Sequence, residues 1–156
     1  MKFKNKLYDA DKINNFRELV ARYSKLYSDK VAFEFKKTPN ATEHVKITYA
    51  EFIEDIKALG TSLINLGLTK KKVAIISPNR YEWCVSYLAI TTSDMIVVPL
   101  DRALPNNEIE DLIIRSEAEA VIFDKKYEEV FKNLATNKKS KLSHFICMDN
   151  LNEFDS

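Results

Sequence analysis

The residues best placed to do chemistry follow the short apolar runs in the second half of the chain. Three such loops, 77–80, 99–102 and 124–126, carry hydroxyl, carboxylate and cationic side chains. In an open parallel sheet the ligand crevice lies beyond the carboxyl ends of the strands, so these loops are where a substrate would bind. The chemistries to consider are therefore nucleophilic catalysis, metal binding by carboxylates and phosphate binding by backbone amides.

A glycine-lined phosphate cradle is missing from the first of these loops. Backbone amides approach a pyrophosphate closely only where glycines leave room, and this loop reads S-P-N-R-Y-E. The two glycines of the chain, Gly60 and Gly67, lie in or just after a predicted helix, so neither a Rossmann fingerprint nor a Walker motif is available. Asn79 can cap the next helix, which leaves two interpretations of that helix start: ordinary capping, or an anion held beside Arg80.

The carboxylates and the serine also lack the partners that catalysis requires. Asp124 ends a strand, as the phospho-acceptor of a receiver-type domain does, but such a site needs an acidic pair after the first strand, and residues 77–79 offer none. We interpret Asp124 as a helix cap and Asp101 as a carboxylate that orders its loop. Ser77 has no evident general base, since His144 begins a strand. The sequence predicts no catalytic, cofactor-binding or metal-binding residue in this chain.

The remaining polar and aromatic features have structural interpretations. His44 is predicted to be an exposed loop residue. Lys70, Lys71 and Lys72 form a basic turn, interpreted as solvated, with a weak phosphate or partner contact as the alternative. Trp83 is interpreted as a core or subunit-contact anchor rather than a platform on which a ligand stacks.

The composition excludes several classes of protein. Lys and Arg number 24 against 23 Asp and Glu, a net charge of +1, so nucleic acid is not an expected partner. The longest apolar run, 95–100, is far shorter than the roughly 18 residues that cross a bilayer, so no transmembrane segment is predicted. Cys84 and Cys147 have no His or second Cys at ligand spacing, which indicates reduced thiols and a cytoplasmic protein.

The elements that must position these residues follow a strand–helix rhythm. Four apolar β-type runs, 73–77, 95–99, 120–124 and 144–148, begin roughly 22 to 25 residues apart, which is typical of strand–helix–strand units. Amphipathic helices are predicted between them, one starting after Pro105 and burying Ile109, Leu112 and Ile113, the next following Asp124 with a stripe of Tyr127, Val130, Phe131 and Leu134. The fold class is therefore α/β, with a parallel sheet of about four strands and helices on both faces.

The first half of the chain predicts smaller elements. The spacing of Phe16, Leu19, Val20, Tyr23 and Leu26 predicts a helix over 15–27 that docks by this stripe. Two alternating runs, 31–35 and 45–47, predict an antiparallel hairpin over 31–48, closed by the polar stretch 37–44. Thr48 and Glu51 form a capping box that opens a long helix, which Gly67 ends. We predict a single domain, 1–156, with the hairpin at 31–48 and the parallel repeats at 73–148.

Six motifs carry a family resemblance: I-T-Y-A-E-F at 47–52, L-I-N-L-G-L at 63–68, V-A-I-I-S-P-N-R-Y-E-W at 73–83, Y-L-A-I at 87–90, V-V-P-L-D at 97–101 and S-E-A-E-A-V at 116–121. The block 47–121 resembles the N-terminal region of AMP-forming acyl-CoA synthetases, the adenylate-forming family that includes luciferases and peptide-synthetase adenylation domains. It looks closest to the long-chain fatty acid branch.

Ser93 and Asp94 stand where the family has a small residue and glycine, so we expect Asp94 in a left-handed turn.

The resemblance implies a function for the intact enzyme. Such a ligase converts a fatty acid, ATP and CoA to acyl-CoA, AMP and pyrophosphate, and requires magnesium. The family's phosphate loop, adenine motif, ribose-binding Asp and catalytic lysine all lie downstream of residue 156, so none is assigned to a position here. We expect an N-terminal ligase fragment that is inactive alone, in an intact enzyme that is cytoplasmic, with a membrane-peripheral location left open.

The resemblance also predicts what this chain contacts. Its expected partner is the remainder of the ligase chain, and apolar surface that the remainder would cover is expected to favour self-association. One alternative is a stand-alone protein-interaction module on the same scaffold. A small nucleotide-binding domain ranks behind both.

Overall fold

The computed structural model describes residues 12–36 and 38–149. The predicted domain, 1–156, extends beyond these ranges at both ends, and residue 37 of the predicted hairpin loop also lies outside them. The elements in chain order are α1 (Phe16–Leu26), β1 (Val31–Phe35), β2 (Val45–Thr48), α2 (Tyr49–Asn65), β3 (Lys72–Ile76), α3 (Tyr81–Thr92), β4 (Ile96–Pro99), α4 (Asn106–Ser116), β5 (Ala120–Phe123), a 3₁₀ turn (Lys125–Tyr127), α5 (Glu128–Thr136) and β6 (His144–Cys147).

The main sheet has four parallel strands in the order β4-β3-β5-β6. Val73 of β3 lies beside Val97 of β4 and Ala120 of β5, and Ala120 in turn lies beside His144 of β6. The strands β1 and β2 pair antiparallel as a separate hairpin. The predicted α/β fold class, a four-stranded parallel sheet with a small antiparallel hairpin, is therefore confirmed.

Helices pack on both faces of the sheet, and alternate side chains of each strand point to opposite faces. On one face, Val73 and Ile122 pack with Leu63 of α2 and Ile90 of α3. The helices α2 and α3 also approach each other closely, since a β-carbon at Gly60 would collide with the hydroxyl of Ser93. The opposite face packs against α4 and α5 through the buried residues Ala74, Ile76, Ile109, Ile113, Val121, Phe123, Tyr127, Val130, Phe131, Leu134 and Cys147.

The core residues predicted for α4 and α5 are buried with one exception. Ile109 and Ile113 of α4 are buried, whereas Leu112 is half-buried. Tyr127 is buried in the 3₁₀ turn and not in the helix that follows. The rings of Phe123 and Phe131 lie 4.7 Å apart, which joins β5 to α5.

The local signals at the ends of α2 are confirmed. The backbone N–H of Glu51 donates to Thr48 Oγ1 at 3.3 Å, and the backbone N–H of Thr48 donates to Glu51 Oε2 at 2.8 Å. Gly67 follows the helix with a φ of 77°, the left-handed conformation that glycine adopts without a steric penalty. Asp94 also adopts this conformation, with a φ of 60°, as predicted.

The predicted docking of α1 by its apolar stripe is confirmed, although the two ends of the stripe stay partly exposed. Leu19, Val20 and Tyr23 are half-buried, but Phe16 is 45% exposed and Leu26 is 54% exposed. The helix packs against α2 and α3, and the partly exposed Phe16 still meets Tyr87 of α3 edge-on, with ring centroids 6.1 Å apart.

Several predicted boundaries differ by a residue or two. Ser77, Met95, Asp124 and Met148 lie just outside the strands, whereas α4 starts directly after Pro105, its N-cap, as predicted. These residues lie at the ends of strands, where local sequence patterns are least precise.

None of the helices between residues 12 and 149 has the length and hydropathy that a bilayer span requires.

Candidate functional site

Three neighbouring parallel strands bring charged residues to one edge of the sheet. Arg80 follows β3, and its Nη1 lies 3.0 Å from Asp124 Oδ2 after β5 and 2.6 Å from Asp149 Oδ1 after β6. Arg80 Nε also lies 2.7 Å from Glu82 Oε2 in the first turn of α3. We call Arg80, Glu82, Asp124 and Asp149 the Arg80 cluster. It is the chief polar feature at the edge where an open parallel sheet binds ligands.

Backbone amides hold the carboxylates of the cluster from the other side. The N–H of Lys126 donates to Asp124 Oδ1 at 3.1 Å, so the predicted cap is confirmed, although it caps a 3₁₀ turn. The N–H of Lys125 donates to Asp149 Oδ2 at 2.8 Å. The cluster therefore ties the turn after β5 to the end of β6.

The charges of the cluster stabilise one another. The hydrogen bond with Glu82 is the main cause that raises the pKa of Arg80, and it outweighs the opposing effect of burial. Burial raises the pKa of Glu82 and of Asp149, but hydrogen bonds and the attraction of the Arg80 charge together outweigh it and hold both pKa values below their ordinary range. These bonds come from Arg80 and, for Asp149, first from the N–H of Lys125. All three groups are charged at neutral pH.

This arrangement does not suit a phosphate. One guanidinium already faces three carboxylates, so an anion brought to the start of α3 would meet more negative than positive charge. Across residues 12–36 and 38–149, no group of three or more His, Cys, Asp or Glu side chains is placed to hold a metal ion. The residues at this edge therefore do not fit a nucleotide phosphate or a magnesium ion.

The predicted Asn79 cap is wrong. Arg80 is the N-cap of α3, with extended backbone, and no side chain caps this helix. The first turn instead closes through the N–H of Trp83, which donates to the carbonyl of Arg80 at 3.2 Å.

The other predicted chemistry residues make local contacts. Asp101 Oδ1 accepts from the N–H of Ala103 at 2.9 Å, so its loop-ordering role is confirmed. The hydroxyl of the buried Ser77 donates to the carbonyl of Pro78 at 2.7 Å. His44 is exposed, as predicted, and its Nδ1 lies 3.1 Å from Glu34 Oε1. His144 Nδ1 lies 2.9 Å from Ser143 Oγ.

The lysine turn lies at the opposite, amino edge of the sheet, and its lysines also make local contacts. Lys71 Nζ lies 3.0 Å from Glu119 Oε1, and Lys72 Nζ donates to the carbonyl of Ser116 at 2.8 Å. Lys70 has a φ of 64°, and its N–H donates to the carbonyl of Asp94. The interpretation as a solvated turn is confirmed for Lys70 and Lys71, which are exposed, whereas Lys72 is half-buried and begins β3.

Trp83 lies in the first turn of α3 and is half-buried. Its ring stacks on Tyr87 at 5.3 Å, and Tyr87 meets Phe16 of α1 edge-on at 6.1 Å. Trp83 thus belongs to an aromatic row between α3 and α1 and not to the core clusters of the sheet. A role in a subunit contact stays a prediction.

A second polar pair lies at the start of α3. The hydroxyl of Tyr81 donates to Asp55 Oδ2 of α2 at 2.7 Å, while its ring packs against Phe33 of β1 at 5.2 Å and Phe52 of α2 at 5.8 Å. Burial and the nearby Asp55 carboxylate raise the pKa of Tyr81. One side chain thereby joins α3, α2 and the hairpin.

Tyr81 separates two grooves. The larger, about 830 Å³, lies between the hairpin and the start of α3 and includes Phe35, Arg80 and Cys84. The second, about 480 Å³, lies between α2, α3 and the sheet, and we call it the sheet groove. Its apolar lining consists of Ala58, Leu59, Leu63, Leu66, Val85, Ile122, Ile146 and Met148, with Asp55, Tyr81 and Glu82 among its polar residues.

Two parts of the site were missed in the sequence. Asp149 follows β6 as Asp124 follows β5. The search for polar residues at the carboxyl ends of the strands stopped at β5, and applying it to the last strand would have found Asp149. The pairing of Tyr81 with Asp55 joins residues 26 positions apart on different helices and has no local signal.

The layers and the strand-end polar residues together define an open α/β domain. The family described as "AMP-binding enzyme" matches residues 20–155. The chain belongs to this family, and the predicted resemblance to the N-terminal region of an acyl-CoA synthetase is confirmed.

Curated relatives of this family are similar over part of the chain. "Acyl-CoA synthetase ALT10" of Alternaria alternata is 30% identical over 96 residues, which are 61% of this chain and 17% of that protein. The human "Medium-chain acyl-CoA ligase ACSF2, mitochondrial" is 26% identical over 87 residues, 55% of this chain and 14% of that protein. The chain thus aligns with less than a fifth of either relative.

Solved structures share the fold. A "long-chain-fatty-acid-CoA ligase (FadD1)" from Archaeoglobus fulgidus superposes with a TM-score of 0.76 at 16% identity, covering 96% of this chain and 31% of that one. The N-terminal domain of FACL13 from Mycobacterium tuberculosis superposes with a TM-score of 0.73 at 18% identity, covering 88% and 34%. At these identities the superpositions establish the fold alone.

Proposed function

We propose that this chain is the N-terminal part of an AMP-forming ligase that activates long-chain fatty acids. The observation that carries the proposal is the family match over residues 20–155 in a chain that aligns with only 14% to 17% of two curated acyl-CoA ligases and synthetases. The long-chain preference is supported by the resemblance of N-R-Y-E-W at 79–83 and V-V-P-L-D-R at 97–102 to that branch.

The reaction of the whole ligase would run in two steps. The fatty acid carboxylate attacks the α-phosphate of ATP, a carboxyl–phosphate bond forms, and pyrophosphate leaves. The thiol of coenzyme A then attacks the acyl carbon, a thioester forms, and AMP leaves. ATP, magnesium and coenzyme A are therefore the proposed substrates and cofactor of the intact enzyme.

We assign this chain a structural part in that reaction. The Arg80 cluster is occupied by its own carboxylates, and Ser77 and the two histidines make only local contacts, so no step is routed through these residues. The chain supplies a packed sheet and helices that support the rest of the domain.

We place the intact ligase in the cytoplasm, since Cys84 and Cys147 are free thiols.

Pyrophosphate release tests the proposal. With ATP, magnesium, coenzyme A and palmitate, the 156-residue protein is expected to match a no-protein blank, while a medium-chain acyl-CoA ligase assayed with octanoate provides the positive control. Reproducible turnover by the 156-residue protein would show that a reaction centre lies within it. In the full ligase chain, a higher kcat/KM for palmitate than for octanoate is expected, and the reverse order would refute the long-chain assignment.

A further inference from the structure

A further groove lies where α1 packs against α2 and the end of α3, and we call it the helix groove. It shares no lining residue with the sheet groove or with the Arg80 cluster. We propose that the helix groove binds a free fatty acid anion, with its carboxylate on basic side chains and its acyl chain on an apolar floor. The inference concerns binding alone and holds whether or not the intact protein is a ligase.

The floor of the helix groove is apolar. Ile53 and Ile56 of α2 are buried residues of the lining, and Val20 of α1 is half-buried beside them. Ile64, in the last turn of α2, lines the same groove and is 46% exposed. A hydrocarbon chain laid on this floor would leave water and would cover Ile64, so the hydrophobic effect favours its binding.

The rim of the helix groove is basic. Arg17 and Lys25 of α1 and Lys57 of α2 line it, and no carboxylate is found among the described lining residues. Glu54 Oε1 lies 2.9 Å from Lys57 Nζ and offsets one of these charges. Lys25 has no ion-pair partner within residues 12–36 and 38–149. The rim therefore keeps a surplus of positive charge that attracts an anion.

The guanidinium of Arg17 is fixed at the rim. Its Nε and Nη2 donate to the carbonyl of Thr92, the last residue of α3, at 3.0 and 2.7 Å. A guanidinium has five N–H donors, so further donors stay available to a carboxylate. Because these contacts already restrict the side chain, binding an anion costs less conformational entropy than it would with a freely rotating one.

Floor and rim together select an anion that carries an apolar chain. An inorganic anion would leave the floor in water, a neutral lipid would gain nothing from the rim, and a metal ion would be repelled by it. The volume, about 360 Å³, lies within the range of small-molecule sites, about 300 to 1,000 Å³. The sheet groove is also apolar, but Asp55 and Glu82 line it, so an anion is disfavoured there.

An NMR titration with octanoate tests the proposal and locates the ligand. Octanoate added to the ¹⁵N-labelled 156-residue protein should shift the backbone amides of Ser24 and Thr61, which line the helix groove on α1 and α2. Octanol, which has the same chain without the charge, should bind at least fivefold more weakly. Unchanged Ser24 and Thr61 amides, or equal binding of octanol, would overturn the proposal.

A pair of double variants tests the basic rim. Lys25→Gln combined with Lys57→Gln should raise the Kd for octanoate at least fivefold. Lys138→Gln combined with Lys139→Gln is the matched control, because it removes the same charge from two exposed lysines that do not line the groove, and it should change the Kd less than twofold. Equal effects of the two double variants would overturn the proposal.

A second pair tests the floor and distinguishes the two apolar grooves. Ile64→Ser should weaken octanoate binding at least threefold, whereas Leu66→Ser should change it less than twofold, since Leu66 is 43% exposed but lines only the sheet groove. The reverse order would place the ligand in the sheet groove and overturn the proposal. Vesicles of phosphatidylglycerol that broaden the Ser24 and Thr61 amides when octanoate leaves them unchanged would also overturn it, because the occupant would then be a lipid surface.

Discussion

Arg80 and Asp149 stand 69 residues apart in sequence, and yet Arg80 Nη1 lies 2.6 Å from Asp149 Oδ1. The contact exists because β3 and β6 both run parallel to β5, which lies between them. It joins the loop after the first strand of the main sheet to a residue two positions past its last strand. The stability of that edge should therefore depend on one guanidinium.

Replacing Arg80 should destabilise the protein. In Arg80→Met the three carboxylates of the cluster lose their shared cation, and the free energy of unfolding is expected to fall by about 2 kcal/mol. Urea unfolding followed by circular dichroism measures this. Arg115→Met is the control, since Arg115 is exposed in the last turn of α4, and a change within about 0.5 kcal/mol is expected there. Equal effects of the two variants would contradict the role of the cluster.

The cluster should also make stability fall in acid. The pKa values of Glu82 and Asp149 are lowered from 4.5 and 3.8 in the folded protein. The unfolded chain therefore binds protons first, so the stabilisation is complete above these ordinary values and is lost as the pH falls toward the lower folded ones. Urea midpoints measured from neutral pH to about pH 3 should show the loss. The difference between wild type and Arg80→Met should shrink over the same range, and a constant difference would contradict this.

Removing the hydroxyl of Tyr81 should cost less than removing Arg80. Tyr81→Phe keeps the ring contacts with Phe33 and Phe52 but leaves Asp55 without its donor. The expected loss is about 1 kcal/mol in the free energy of unfolding, measured in urea. Tyr87→Phe, on the same helix, serves as the matched control, and a loss there as large as for Tyr81→Phe would argue against the Asp55 hydrogen bond as the cause.

Asp94→Gly should stabilise the protein. Asp94 has a φ of 60°, which strains a residue with a β-carbon, and it is exposed between α3 and β4. Glycine adopts this conformation freely, so a gain of about 0.5 to 1 kcal/mol in thermal or urea unfolding is expected. Ser93→Gly is the control, because Ser93 has a φ of −109° and gains no such relief. A loss of stability in Asp94→Gly would show that its side chain makes a needed contact.

Features with a local cause were predictable from the sequence. The capping box of Thr48 and Glu51, the left-handed Gly67 and Asp94, and the Asp124 cap each depend on residues within three or four positions. The apolar runs likewise predicted each strand to within two residues, because burial on both faces of a parallel sheet demands continuous apolar side chains.

The start of α3 shows where local reasoning failed. Asn79 is a good capping residue by type, but the helix starts after Arg80, whose side chain is held by Asp124 and Asp149. These partners lie 44 and 69 residues away, so no local pattern indicated the contacts that this N-cap residue makes.

By itself the sequence determined the elements, the parallel sheet and the family, because each follows from periodicity, capping residues and short motifs. Only the tertiary structure decided the strand order β4-β3-β5-β6, and with it the Arg80 cluster, the Tyr81–Asp55 pair and the open sheet groove. The physical reason is that side-chain contacts between distant elements depend on which strands are neighbours and which faces the helices leave uncovered.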